Sequence, residues 1–205
     1  MRRIGIMGGT FDPIHIGHLI LAERAYSRFG LEKVVFMPSG NPPHKRDRDG
    51  RATNDQRLRM AAAAIADNPH FELSDYEMHY QGYTYTYKTL EELTAANPDC
   101  EYYFIIGADS LFYFDEWKEP ARIAAHCVLV VATRDHVREE ALDRQIEFIS
   151  QLFNARIEKL DTPNIDISSH LLRSWIEEGR SIRYYVPDEV SAIIEEENIY
   201  KHREA

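Results

Sequence analysis

The chain has 205 residues, 44% hydrophobic and 28% charged, too apolar for a disordered chain and of a length for one domain, or one with a small appendage. No apolar run approaches the roughly 18 residues of a membrane-spanning helix, and Arg2-Arg3 lead to Gly5 rather than to an apolar signal core, so a cytoplasmic chain without a membrane partner is expected. Twenty-four basic against 34 acidic residues give a net charge of −10, which disfavours nucleic acid, and Cys100 and Cys127 lack the CxxC spacing of a disulfide framework or a structural zinc.

Taken in chain order, Arg3 to Met7 reads as a first strand, and Ile16 to Phe29 as a helix with Ile16, Leu19, Ile20 and Ala22 at helical spacing. Lys33 to Met37 is a β-branched run typical of a strand buried on both faces. Asn41 to Thr53, dense in Pro, Gly and charge, is a loop; Asp55 to Ala66 is a helix that Asp55 would cap. Phe71 to Ser74 is a strand, and Tyr87 to Ala96 a helix stopped by Asn97-Pro98. Tyr102 to Ile106 and Cys127 to Ala132 are buried strands, followed by a helix over Val137 to Phe153 and a last strand over Arg156 to Leu160. Helices over Ser168 to Glu178 and Asp188 to Glu196 close the chain.

No internal repeat or low-complexity tract interrupts this alternation. It predicts an α/β, Rossmann-like, doubly wound parallel sheet with helices on both faces. A single domain over 1–205 is expected, with a small helical subregion from about residue 165. Such sheets bind ligands at the carboxyl ends of strands, where strand order reverses. Met7 leads into Gly8-Gly9-Thr10, Ile106 into Gly107-Ala108-Asp109, and Leu160 into the loop before Ser168.

The richest segment is Gly8-Gly9-Thr10-Phe11-Asp12-Pro13-Ile14-His15-Ile16-Gly17-His18. Paired glycines let a backbone approach a ligand without a Cβ in the way, and Asp12-Pro13 supplies a turn. His15 and His18, three apart at a helix start, project from one face, beside backbone N–H groups that favour an anion. Each feature alone is ordinarily structural; the combination after a first strand is not. Two histidines without a third nearby ligand do not make a metal site. The absence of GxxxxGK[ST] and of GxGxxG removes support for P-loop and dinucleotide chemistry.

This segment resembles the signature of the HxGH nucleotidyltransferases. Over nearly its whole length the chain is similar to bacterial nicotinate-nucleotide adenylyltransferases. The similarity continues in Pro42-Pro43-His44-Lys45, Thr84-Tyr85-Thr86, Phe104 to Asp109 with Trp117, Ile167 to Arg173, and Ser181 to Pro187 through Asn198-Ile199-Tyr200. The resemblance implies transfer of AMP from ATP to nicotinate mononucleotide, giving deamido-NAD and pyrophosphate, with Mg²⁺ bound mainly through the ATP phosphates. It implies catalytic roles for His15 and His18, which would also contact ATP together with Gly8, Gly9, Thr10, Phe11, Lys45, Gly107, Asp109, Ser168, Ser169 and Arg173. It places the mononucleotide against His44, Thr84, Tyr85, Thr86, Asp109, Trp117 and Arg134.

Arg46, Arg48 and Arg51 read as solvated loop residues. Two departures stand out: His170 where the family commonly has threonine, and Lys88 where relatives often carry aspartate. Another HxGH enzyme, such as pantetheine-phosphate adenylyltransferase, would share Gly8 to His18 but not the Gly107-Ala108-Asp109 and Trp117 pattern. A non-catalytic nucleotide sensor is the remaining alternative. The oligomeric state is left open, a homodimer being one outcome.

Overall fold

The apolar runs of the sequence pair side by side. In the computed structural model, which describes residues 1–41, 51–80, 82–133, 139–163 and 165–201, they form one six-stranded sheet. Its strands are β1 (Arg2–Gly9), β2 (Lys33–Pro38), β3 (Phe71–Leu73), β4 (Cys100–Gly107), β5 (Val128–Ala132) and β6 (Arg156–Leu160), in the order β3-β2-β1-β4-β5-β6. Every pairing is parallel. The chain leaves β1 to build β2 and β3 on one side and then crosses to β4 on the other. The order therefore reverses between β1 and β4, where such sheets open a crevice at their carboxyl ends.

Alternate residues of each strand face opposite layers. Tyr103, Ile105, Val128 and Val130 join Ala22 and Ala25 of α1 (Ile16–Phe29) and Met60, Ala61 and Ala64 of α2 (Asn54–Ile65). Leu172 of α7 (Ser169–Glu177) and Val190 and Ile194 of α8 (Asp188–Glu196) close the same layer. Tyr102, Phe104, Ile106, Leu129 and Val131 face the other way. They meet Leu90 of α3 (Thr86–Ala96), Leu111 of α4 (Ala108–Phe112), Ile123 of α5 (Pro120–His126) and Leu142 and Ile149 of α6 (Glu139–Phe153). The expected doubly wound architecture is present.

Several boundaries differ from expectation for local reasons. The cap of α2 is Thr53, not Asp55: its Oγ1 accepts from Gln56 N (3.2 Å), and Gln56 Oε1 accepts from Thr53 N (2.8 Å). This is a reciprocal capping box, and it leaves Asp55 in the first turn, where a carboxylate favours the helix dipole. The apolar run Ile123 to Ala132 is two elements, because Cys127 turns extended (φ −150°) between the end of α5 and β5. The short α4 and α5, and the 3₁₀ turns Tyr76–His79 and Phe114–Glu116, span too few residues to show a helical period. The expected helix start at Val137, like most of the 41–53 loop, lies outside the described residues.

Candidate active site

The loop from β1 to α1 is held in place by charge. Arg57, on α2 and only 4% exposed, donates from Nη1 to Thr10 O (2.7 Å) and from Nη2 to Ser39 O and Asn54 Oδ1 (both 2.8 Å). One planar guanidinium thus ties the ends of β1 and β2 together, a geometry lysine could not reproduce. Asp12 is more than the turn residue that the sequence suggested. Its buried carboxylate accepts through Oδ1 from Ala52 N (3.1 Å) and from the Tyr200 hydroxyl (2.8 Å). Its Oδ2 faces Arg51 Nη1 at 3.6 Å and Arg173 Nη1 at 3.8 Å, and its carbonyl accepts from Arg173 at 2.6 Å. Burial first, and then the Asp12 carboxylate, drives the Tyr200 phenol well above its ordinary pKa, so it remains a donor. Arg51, read from sequence as solvated, is in fact part of this cluster.

His15 is the residue before α1 and is buried; His18 lies one turn on and is partly exposed. Their rings stack at 3.7 Å with 26° between planes, and the ring of Phe11 meets His18 edge-on at 5.0 Å. His15 N donates to His18 Nδ1 (3.2 Å). That contact makes Nδ1 an acceptor, so in the neutral ring the proton sits on Nε2, a donor pointing away from the backbone. The backbone amides at this helix start are less available than expected. Ile16 N donates to Tyr185 O (3.0 Å) and His18 N to His15 O (2.9 Å). The first turn carries no acidic residue, so the dipole and the His18 ring remain as its means of attracting an anion.

The glycines also make room for the protein's own aromatic rings. A Cβ on Gly9 would stand 2.9 Å from the Phe11 ring, and one on Gly8 3.2 Å from the Phe104 ring. The space left by their missing side chains is occupied by the protein's own aromatics. Phe11 itself is 1% exposed, so its ring belongs to the core and only its backbone is free to meet a nucleotide. Gly107, at the end of β4, does face open space.

One cavity opens beside this loop and another beside Ser39, just past β2. The first, of about 410 Å³, is lined by Thr10, Phe11, Asp12, His18, Arg51, Ser169, His170 and Arg173. Ser168 caps α7, its Oγ accepting from Leu171 N at 3.2 Å, while Ser169 Oγ donates to Pro13 O at 2.9 Å. Ser169 therefore offers an anion its backbone N–H rather than its hydroxyl proton. The other cavity, of about 460 Å³, is lined by Ser39, Glu77, Thr84, Tyr85, Thr86, Glu116, Trp117, Lys118, Glu119 and Ile123. Trp117 rests tilted on Phe114 (5.5 Å) and edge-on to Phe104 (6.3 Å), fixing an indole wall.

The structure thus brings Thr84, Tyr85, Thr86 and Trp117 together, and separately groups Thr10, Phe11, His18, Ser169 and Arg173. His15 stacks behind His18. Gly107 and the exposed Asp109 stand at the end of β4, and Gly8, Gly9 and Ser168 likewise border the loop without lining either cavity. His44, Lys45 and Arg134 lie outside the described residues. Asp12, Arg57, Glu77 and Tyr200 escaped the sequence reading. The motif position of Asp12 and the family-similar block that ends at Tyr200 were the signals in the sequence.

A cationic cavity beside an aromatic-walled one, at the reversal of a parallel sheet, suits group transfer between two phosphorylated molecules. Residues 6–174 match the Cytidylyltransferase-like family, and the chain is an α/β nucleotidyltransferase of that class. It is 43% identical over 200 residues to the probable nicotinate-nucleotide adenylyltransferase of Lachnoclostridium phytofermentans, covering 98% of this chain and all of the relative. The corresponding Clostridium novyi protein is 42% identical over 201 residues, again covering 98% of this chain and all of the relative. The chain belongs to the nicotinate-nucleotide adenylyltransferase family. Its fold is shared with the Plasmodium falciparum nicotinic acid mononucleotide adenylyltransferase complexed with NaAD (TM-score 0.80, 20% identity, 98% of each chain).

Proposed function

We infer that the chain transfers AMP from ATP to nicotinate mononucleotide, forming the dinucleotide and releasing pyrophosphate. The observation that carries this reading is the pairing of the two cavities through Arg57, which grips Thr10 O at one and Ser39 O at the other. The attacking group is a phosphate oxygen of the mononucleotide, already ionised at neutral pH, so no general base is required. It adds to the α-phosphorus of ATP as the bond to the bridging oxygen breaks and pyrophosphate leaves with that electron pair. The protein's task is to align two anions and stabilise the charge that develops.

In this reading His18 donates from Nε2 to the reacting phosphate, His15 holds its ring, and the backbone of Gly8, Gly9, Thr10 and Phe11 borders the nucleotide. Arg173, with the N–H groups opening α7 after Ser168 and at Ser169, takes the outer phosphates. Gly107 and Asp109 receive the ribose. Trp117 stacks on the pyridine ring, worth about 0.5–1.5 kcal/mol beyond burial, while Thr84, Tyr85 and Thr86 meet its substituent. His44, Lys45 and Arg134 are assigned phosphate contacts by family resemblance alone.

Among the described residues no group of three or more His, Cys, Asp or Glu could hold a metal ion, and the carboxylate lining the cationic cavity, Asp12, is turned to arginines. That donor set fits Mg²⁺ arriving on the ATP phosphates, where it would supply positive charge to the pyrophosphate leaving group. The test is to supply ATP and Mg²⁺ with nicotinate mononucleotide, nicotinamide mononucleotide or phosphopantetheine and follow pyrophosphate release. Release mainly with the nicotinate compound is expected. Release only with phosphopantetheine would move the chain elsewhere in the superfamily, and none with any acceptor would leave a nucleotide sensor.

A further inference from the structure

Glu77 has no part in the chemistry above, yet it lines the aromatic-walled cavity with Thr84, Tyr85, Thr86 and Trp117. It sits in the 3₁₀ turn Tyr76–His79 and cannot withdraw. A Cβ on Gly40 would fall 2.1 Å from the Glu77 carbonyl oxygen, so the backbone here is pressed against the loop that follows β2. Thr89, buried on α3, donates from Oγ1 to Glu77 Oε1 at 2.7 Å. That bond seats the carboxyl in the cavity wall.

The occupant of this cavity poses an electrostatic problem. Its lining contains three carboxyl groups, Glu77, Glu116 and Glu119, against one ammonium, Lys118. The acid form of the mononucleotide brings a further carboxylate, which needs donors and is repelled by ionised neighbours. Glu116 and Glu119 are exposed and screened by water; Glu77 is mostly buried.

Resting on the adenylyl-transfer reading, we propose that Glu77 is a specificity-determining residue: seated by Thr89 in the cavity wall, it meets the nicotinate carboxylate as a protonated acid and donates a hydrogen bond to it. The amide form can offer an N–H donor to an ionised Glu77, so it does not require that proton. Burial raises the Glu77 pKa, and the hydroxyls of Thr89 and Thr84 draw it part of the way back. A substrate carboxylate beside it raises it further, since two such groups sharing a site do not both ionise readily. Other charges nearby are already committed: Glu92 to the Tyr76 and Tyr80 hydroxyls, Asp75 to His79 (2.9 Å), and Arg57 to the carbonyls of Thr10 and Ser39.

A Glu77 that is protonated on binding and one that stays ionised differ in the protons taken up. Calorimetric titration of the protein with each mononucleotide, in buffers of different ionisation enthalpy, counts the protons bound. Nicotinate mononucleotide should take up more protons than nicotinamide mononucleotide, the difference approaching one above the pKa of free Glu77. Their shared phosphate cancels in the comparison. The acid-over-amide affinity ratio should then fall by about tenfold per pH unit as Glu77 ionises. Glu77→Gln keeps a donor but cannot titrate, so the proton difference should vanish and the ratio become flat with pH. Glu116→Gln should leave both intact. Equal proton uptake by the wild-type protein, or a difference that survives Glu77→Gln, overturns the proposal. Failure of either mononucleotide to bind would instead overturn the adenylyl-transfer reading beneath it.

Discussion

Gly17 separates the two histidines because a side chain there would meet one of them. A Cβ at this position falls 3.0 Å from His15 Nδ1, so Gly17→Ala must push the lower ring of the stack. Alanine within a helix is otherwise favoured by about 1 kcal/mol, which makes the expected result diagnostic. Turnover should fall, by as much as ~10²-fold if the imidazoles shift by an ångström, while the melting temperature holds or rises. His18→Ala removes the donor outright and should lower kcat by about 10²–10³. The lost contact to His15 N, worth about 1 kcal/mol, should lower Tm by only about 2–4 °C.

Arg57 behaves oppositely. Replacing it by methionine leaves the Thr10 and Ser39 carbonyls without their charged donor. With each such bond worth about 1.5–3 kcal/mol, urea denaturation should register a loss of about 3 kcal/mol or more. Because this side chain holds a wall residue of each cavity, KM should rise for both substrates together. Cys127 supplies a simpler check. Burial pushes its thiol up to about 12, so alkylation at neutral pH should require unfolding.

Among the secondary-structure elements, those bounded by long apolar periodicity were legible in the sequence and those bounded by local chemistry were not. α1 and α8 begin and end where their pattern predicts, because each carries an apolar stripe at helical spacing. α4 and α5 are five and seven residues long and owe their shape to packing under β4 and β5 rather than to propensity. The same division holds for the site. The histidine motif, the 84–86 segment and Trp117 were visible as patterns. The roles of Asp12, Arg57, Glu77 and Tyr200 were not, since what distinguishes them is contact with partners distant in the chain.

The link between α2 and the residues after α8 is similarly non-local. Glu197 receives Arg59 Nη1 at 2.5 Å and Gln56 Nε2 at 2.9 Å. The Arg59 guanidinium, helped by Gln56, lowers the Glu197 carboxyl to about 2 from an ordinary 4.5. A depressed carboxylate stabilises above its unfolded pKa and loses that contribution as pH falls through its folded one. Pepsin cleavage near residue 197 should therefore accelerate between pH 4.5 and about 2. Glu197→Gln should already be cleaved at the upper end of that window.

Considered as a whole, the molecule is acidic yet reads as a binder of triphosphate. The net charge of −10 repels an anion at a distance, whereas Arg51, Arg173 and His18 attract it within the cavity. Salt distinguishes the two, because at about 0.1 M charges more than about 10 Å apart are largely screened. If the local cluster dominates, raising ionic strength at fixed Mg²⁺ should raise the KM for ATP; if the global charge dominates, KM should fall.

The hydrogen bond from Tyr200 to Asp12 spans 188 positions of sequence. During synthesis on a ribosome, the strand and loop that carry the nucleotide signature emerge first, and the phenol that steadies their carboxylate emerges long afterwards. A nascent chain halted before Tyr200 has left the exit tunnel would display the whole signature with that carboxylate still missing its distant donor. Competence to bind nucleotide should accordingly arrive only when this tyrosine docks.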